Sequence, residues 1–187
     1  MPADARHTEK TTCVIAGGGP AGIMLGLLLA RGGVDVTVME KHADFLRDFR
    51  GDAVHASTLR LLDELGLADD FARMPHREID TVNMKIQGSE VSIDISRIPG
   101  PHKHIALVPQ WDFLELLAAA AEKEPTFRLL RSTEVLAPIR RGDNVIGVSY
   151  RDNEGKVREL HAELTVAKHC TAGWWPLCRG WPVTSRR

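Results

Sequence analysis

Cysteine, aromatic residues and net charge are all scarce in this sequence. Three cysteines in 187 residues (Cys13, Cys170 and Cys178) form neither a disulfide framework nor a Cys-x-x-Cys pair, so no stapled or zinc-ribbon fold is indicated. Aromatic residues make up 5%, with one tyrosine, and 24 basic against 25 acidic residues leave a formal net charge of −1. A chain so balanced has neither the basic footprint of a nucleic-acid binder nor an acidic tail. Its apolar runs stop far short of the roughly 20 residues a membrane helix needs. The polar start MPADARHTEKTT lacks the apolar stretch of a secretory signal. These absences predict no nucleic-acid partner, no membrane partner and a cytoplasmic location; they do not set an oligomeric state. What is present is ordinary globular material, 43% apolar and 26% charged, enough for one domain or one and part of another.

Order begins at Thr11. Val14-Ile15-Ala16 reads as the core of a short buried strand ending at three glycines, and Pro20 to Ala30 as a helix apolar nearly all round, hence buried. Gly32-Gly33 ends the helix, and Val34 to Glu40 alternates valine with polar residues before finishing on an acid. Strand, glycine turn, helix and strand in ~30 residues make one βαβ unit with parallel strands. Phe45 to Val54 has no clear period. A helix with Leu59, Leu62 and Leu65 at helical spacing follows, with Ser57 or Thr58 as its cap and Gly66 as its stop. TVNMKI and EVSIDI around Gln87-Gly88-Ser89 predict a hairpin. Pro109-Gln110 opens a helix to about Lys123, with Leu114, Leu117 and Ala118 on one face. Short strands fill Phe127 to Ala167, one pair joined by the turn Asp152-Asn153-Glu154-Gly155.

The strongest chemical signal is Gly17-Gly18-Gly19-Pro20-Ala21-Gly22, a G-x-G-x-x-G run between a strand and a helix. Gly17 permits the tight turn, Gly19 lets a pyrophosphate approach the backbone, and Gly22, with Gly26 a turn later, lets the helix pack closely on the sheet. Free N–H groups at the helix start face the phosphates with the positive end of the dipole. Glu40 ends the second strand, ~4.8 Å from the first, where its carboxylate can accept ribose hydroxyls and disfavours a 2′-phosphate. The strand, helix, second strand and terminal acid together indicate dinucleotide binding, but the motif does not separate FAD from NAD.

Longer stretches do so by resemblance. VIAGGGPAGIMLGLLLARGGVDVTVMEK, FRGDAVHASTLRLLDELGL, IALVPQWDFLELLAAAAEKEP and STEVLAPIRRGDNVIGVSYRDNEGKVRELHAELTVA resemble, in order, the FAD-binding parts of the flavoprotein aromatic hydroxylases, class A monooxygenases of the para-hydroxybenzoate hydroxylase type. The likeness runs from about Cys13 to Ala167. It implies an α/β, Rossmann-type FAD/NAD(P)-binding domain with a β-meander and a partial substrate-domain sheet. The implied division is 1–75 for the βαβ unit and following helices, 76–105 for a substrate-domain fragment, 106–167 for the returning helix and meander, and 168–187 for an atypical tail. It also implies a monooxygenase using FAD, with NAD(P)H as co-substrate, on a small aromatic or polycyclic molecule. Gly17, Gly19, Pro20, Ala21 and Gly22 would then cradle the FAD pyrophosphate and Glu40 the adenosine ribose. Arg50 would reach the phosphate and ribityl region, Gln110 would lie on the same side, and the Val135 backbone would lie near the adenine. On its own terms Arg50 is either a solvated residue of a charged loop or a fixed cation suited to a diphosphate. No catalytic residue is assigned, because the cofactor carries the oxygen chemistry.

Other features carry less. His102 and His104 suit a loop beside a substrate-side strand better than a metal, which needs further ligands in defined geometry. His55 either borders a flavin or substrate, or caps a helix or packs; Cys13 reads as a small buried apolar residue, and the charges from Lys41 to Asp52 read as a solvated loop. The tail KHCTAGWWPLCRGWPVTSRR holds three of four tryptophans and no acid, breaking composition inside an apparent strand. A second family signature, an Asp-Gly pair after the meander, is absent there, which suggests a reading-frame shift or truncation after about Ala167. An alternative coding frame continuing into an Asp-Gly signature is the test. Three rival readings follow: a catalytically inactive FAD/ADP-binding remnant, an NAD-dependent dehydrogenase, and a chain left unstable by exposed strand edges and apolar faces.

Overall fold

A computed structural model describes residues 9–46 and 51–167. Strand β1 (Glu9–Ala16), helix α1 (Pro20–Arg31) and strand β2 (Val36–Met39) form the expected βαβ unit. β1 pairs parallel to β2, with Cys13 opposite Val36 and Ala16 opposite Met39. All four residues of β2 are buried, so the alternation seen in sequence is not an inside–outside pattern. Thr37 is kept inside with its hydroxyl accepting from Arg128 Nε at 3.3 Å. β8 (Phe127–Leu130) adds parallel to β2. β9 (Glu134–Arg141), β10 (Asn144–Arg151) and β11 (Val157–Ala167) make an antiparallel meander whose last strand returns parallel to β1. The sheet order is β8-β2-β1-β11-β10-β9. Val14, Met39, Val148, Tyr150, Leu160 and Ala162 form its core cluster, with Leu130 and Val135 packed against it.

The chain divides into two compact units, Met1–Asp44 with Leu117–Arg187, and Phe45–Leu116. The first holds the six-stranded sheet and α1. The second holds β3 (Gly51–Val54), α2 (Ala56–Glu64), α3 (Ala68–Ala72), β4 (Arg77–Ile79), β5 (Thr81–Ile86), β6 (Ser89–Asp94), one 3-10 turn (Ile95–Arg97), β7 (Ile105–Pro109) and the start of α4 (Gln110–Ala121). Residues 76–105, the stretch assigned by resemblance to a substrate domain, lie wholly within it. Its three-stranded antiparallel sheet has the order β3-β7-β4, while β5 and β6 form the separate hairpin read from sequence. Gln87 and Gly88 have φ of +49° and +88° between paired Ile86 and Ser89, the geometry of a two-residue hairpin turn.

Two local expectations are corrected. The cap of α2 is His55, through its backbone and without a side-chain hydrogen bond; Ser57 and Thr58 already lie inside the helix. Gly66, with φ of +66°, follows the Leu65 C-cap as expected. Helix α1 is buried along Gly22, Ile23, Gly26, Leu27 and Ala30, while Met24, Leu25 and Leu29 are half-exposed and Leu28 is exposed. Its apolar circumference therefore serves one buried stripe, not burial all round. Cys13 is fully buried in β1, and burial pushes its thiol pKa up. Among the described residues no helix is long and apolar enough to cross a membrane.

Candidate cofactor site

The site lies where β1 ends and α1 begins. Gly17 leaves the strand with φ of +111°, open to glycine and strained for other residues, and its N–H is held by the Met39 carbonyl at 2.9 Å. A Cβ on Gly22 would land on the Gly17 carbonyl oxygen, so that glycine is needed for the turn to fold back on its helix. The same Cβ would stand 3.5 Å from Ile15 Cγ2 on β1, and the tighter contact with the sheet comes one turn later. A Cβ on Gly26 would lie 2.8 Å from both Val38 Cγ2 and Phe127 Cε2.

Gly19 is the N-cap of α1 and its carbonyl accepts the Ile23 N–H at 3.0 Å. Pro20 at the first helical position has no N–H to leave unpaired, and the fixed φ suits it there. The N–H groups of Ala21 and Gly22 have no intrahelical acceptor, by the geometry of any helix start. With Gly19 they make an opening lined by donors at the positive end of the dipole, suited to an anion.

Glu40 follows β2 directly and is 3% exposed. Its carboxylate is held from within the protein: Oε2 accepts the Gly18 N–H at 2.9 Å and Oε1 the His42 N–H at 3.0 Å. The backbone is fixed as well. Glu40 N–H donates to the Leu130 carbonyl and its own carbonyl accepts Thr133 N–H, both at 2.8 Å. The 130–133 connection, with Ser132 at φ of +52°, thus lies against the end of β2 and brings the start of β9, and Val135, to the Glu40 side.

Of the residues singled out in the sequence, Gly17, Gly19, Pro20, Ala21, Gly22 and Glu40 are brought together, and Val135 shares their unit. Gln110 opens α4 in the other unit, directly after β7. Arg50 lies outside the described residues, as do Cys170, Cys178 and the tail tryptophans. Sequence reasoning missed Gly18, His42 and Thr133. Only Gly18 left a signal there, a third glycine where the motif allows any residue. His102 and His104 belong to the second unit, where His102 Nε2 meets Asp63 Oδ2 at 2.7 Å and His104 Nε2 is 3.5 Å from Glu78 Oε1. Among the described residues no three His, Cys, Asp or Glu side chains are grouped to hold a metal ion.

The sequence matches the FAD binding domain family over residues 10–174, nearly the whole chain. The chain belongs to that family. Among relatives of this FAD binding domain is 6-methylpretetramide 4-monooxygenase of Streptomyces rimosus, 34% identical over 148 residues, which are 79% of this chain and 35% of that protein. Squalene monooxygenase of Mus musculus is 34% identical over 158 residues, 82% of this chain and 27% of its own length. The solved structure of OxyS anhydrotetracycline hydroxylase from Streptomyces rimosus superimposes with a TM-score of 0.73 at 32% identity, covering 84% of this chain and 31% of that one. The FAD binding domain described here therefore spans about a third or less of the length of these relatives.

The cradle fits the cofactor that the family implies. Its glycines clear the approach to the donors at the start of α1, and the one acid at the end of β2 stands beside them.

Proposed function

We propose that this chain is the FAD-holding portion of a flavin-dependent monooxygenase that hydroxylates an aromatic or polycyclic small molecule with NAD(P)H and O2. The observation that carries the reading is the glycine turn entering α1 beside Glu40, inside a βαβ unit that continues into the meander. The family match and the monooxygenase and hydroxylase names of its relatives support the same direction. In this reading Gly17 shapes the turn, and the N–H groups of Gly19, Ala21 and Gly22 receive the pyrophosphate. Pro20 presets the first helical turn, Glu40 stands at the adenosine ribose, and the Val135 backbone stands at the adenine. The resemblance assigns Arg50 and Gln110 to the flavin side. The chain's task is to bind, orient and exclude water; the flavin, when bound, supplies the oxygen and hydride chemistry.

An FAD titration read by flavin absorbance and fluorescence tests this. Saturable binding, competition by ADP, and an affinity lowered at least about tenfold in Gly19→Val with unchanged far-UV circular dichroism are expected, because a side chain there blocks the phosphate approach. A folded chain that binds no FAD overturns the reading, and one that binds NAD but not FAD moves it to a dehydrogenase.

A further inference from the structure

The N–H groups of the glycine turn do not all face a ligand. Gly17 N–H donates to the Met39 carbonyl and Gly18 N–H to Glu40 Oε2, each at 2.9 Å, so the first two donors point into the protein. Glu40 also gathers the His42 N–H, which ties the turn after β1 to the chain leaving β2. Its side chain lies directly on Gly18, where a Cβ would be 2.8 Å from Glu40 Cβ, 3.3 Å from Cγ and 3.1 Å from Oε2. Gly18 does not adopt a left-handed φ, so the constraint on it is space, not backbone freedom. A carboxylate this buried is tolerated only when hydrogen-bonded, and bonds from N–H to an ionised acceptor are among the stronger ones in proteins.

We propose that Glu40 is a positioning residue which, seated on Gly18, clamps the phosphate turn into its binding shape before a nucleotide arrives, leaving Gly19, Ala21 and Gly22 to receive the anion. The inference rests on the FAD reading and adds to Glu40 a duty separate from any contact with ribose. The two duties separate with a ligand that has phosphates and no sugar. By charge alone, neutralising an acid beside an anion site strengthens anion binding. By loss of a ribose contact alone, inorganic pyrophosphate is unaffected. A broken clamp weakens it.

The test uses the full chain and its Glu40→Gln and Gly18→Ala variants, each checked by far-UV circular dichroism. Inorganic pyrophosphate and ADP are titrated separately by calorimetry, and hydrogen exchange across residues 14–26 is followed without ligand. Glu40→Gln keeps the shape but turns an amide NH2 toward one of the two N–H groups. Both variants are expected to lose about tenfold or more in affinity for pyrophosphate and ADP alike, as for one charge-assisted hydrogen bond, and to exchange faster at the turn. The double variant should be scarcely weaker than the worse single one, because both break one interaction. Pyrophosphate binding that is unchanged or tighter in Glu40→Gln, with ADP binding weakened, overturns the clamp and leaves a ribose contact. If the wild-type chain binds neither probe, the FAD titration judges the FAD reading and exchange judges the clamp: unaltered protection in both variants overturns it, and faster exchange at the turn supports it.

Discussion

Gly26 illustrates how one missing side chain fixes where a helix lies. Alanine in a helix interior is ordinarily favoured over glycine by about 1 kcal/mol. Here its Cβ would meet the stiff Val38 side chain and the Phe127 ring at 2.8 Å, both on strands of the buried sheet. Overpacking of that kind costs about 1–3 kcal/mol, so Gly26→Ala is expected to lower stability by roughly 1 kcal/mol net. The urea midpoint measures this, and an unchanged or higher midpoint would show that α1 can lift without loss. Residues such as Gly17, Gly19 and Gly22 were legible in the sequence because their spacing along the chain is itself the motif. Gly18 was not, because what makes it necessary is a carboxylate 22 positions later. His42 and Thr133 act through backbone N–H groups, which every residue but proline has, so no side-chain pattern marks them.

At the scale of elements, the turn between β10 and β11 is organised by one acid. Asp152 Oδ1 accepts the N–H of Glu154 and Lys156 at 3.0 and 2.8 Å, and Oδ2 accepts Arg158 Nε. Desolvation pushes the carboxyl pKa up, but the Arg158 guanidinium and the two N–H groups outweigh it and hold it below the usual carboxylate range. A depressed pKa in the folded state means the contribution is complete above the unfolded value, near 3.9, and disappears as pH falls through the lower folded value. Asp152→Asn is therefore expected to be less stable than wild type at pH 7, with the gap closing below about pH 4. Urea denaturation at both pH values decides it, and a gap that stays the same at low pH would show that the carboxylate's charge plays no part. This turn and the Gln87-Gly88 hairpin were legible because turn chemistry is local. β3 was not: its Gly51-Asp52-Ala53-Val54 has no period of its own, and pairing with β7 makes it a strand. Local chemistry also misleads at the α2 cap, since Ser57 and Thr58 suit a cap but lie two and three residues after His55.

At the scale of the molecule, strand order was the least legible feature. The βαβ unit implied that β1 and β2 are neighbours, but nothing local states that β11 lies on the other side of β1. Nor does sequence alternation tell what covers an apolar face. In the β5–β6 hairpin, Val82 stands opposite Ile93 and Met84 opposite Val91, which puts the apolar side chains on one face. Met84, Ile86, Val91 and Ile93 are 40, 51, 38 and 46% exposed. Two-stranded sheets are marginal alone and open edges invite pairing between chains. The double variant Ile86→Thr with Ile93→Thr keeps strand propensity and is expected to raise the concentration at which light scattering detects self-association. No change in that threshold would clear the hairpin of responsibility.

The position of β11 also bears on how the protein is made. Glu9 pairs with Leu160 and Ala16 with Ala167, so the strand that ends at the glycine turn gains its second neighbour only from a segment made 151 residues later. Long-range parallel pairing is slow, because loop closure must be met before the contacts reward it. During synthesis the apolar Cys13-Val14-Ile15 stretch therefore leaves the ribosome well before its shelter exists. In time, the turn that opens α1 waits for a strand made 151 residues after its own.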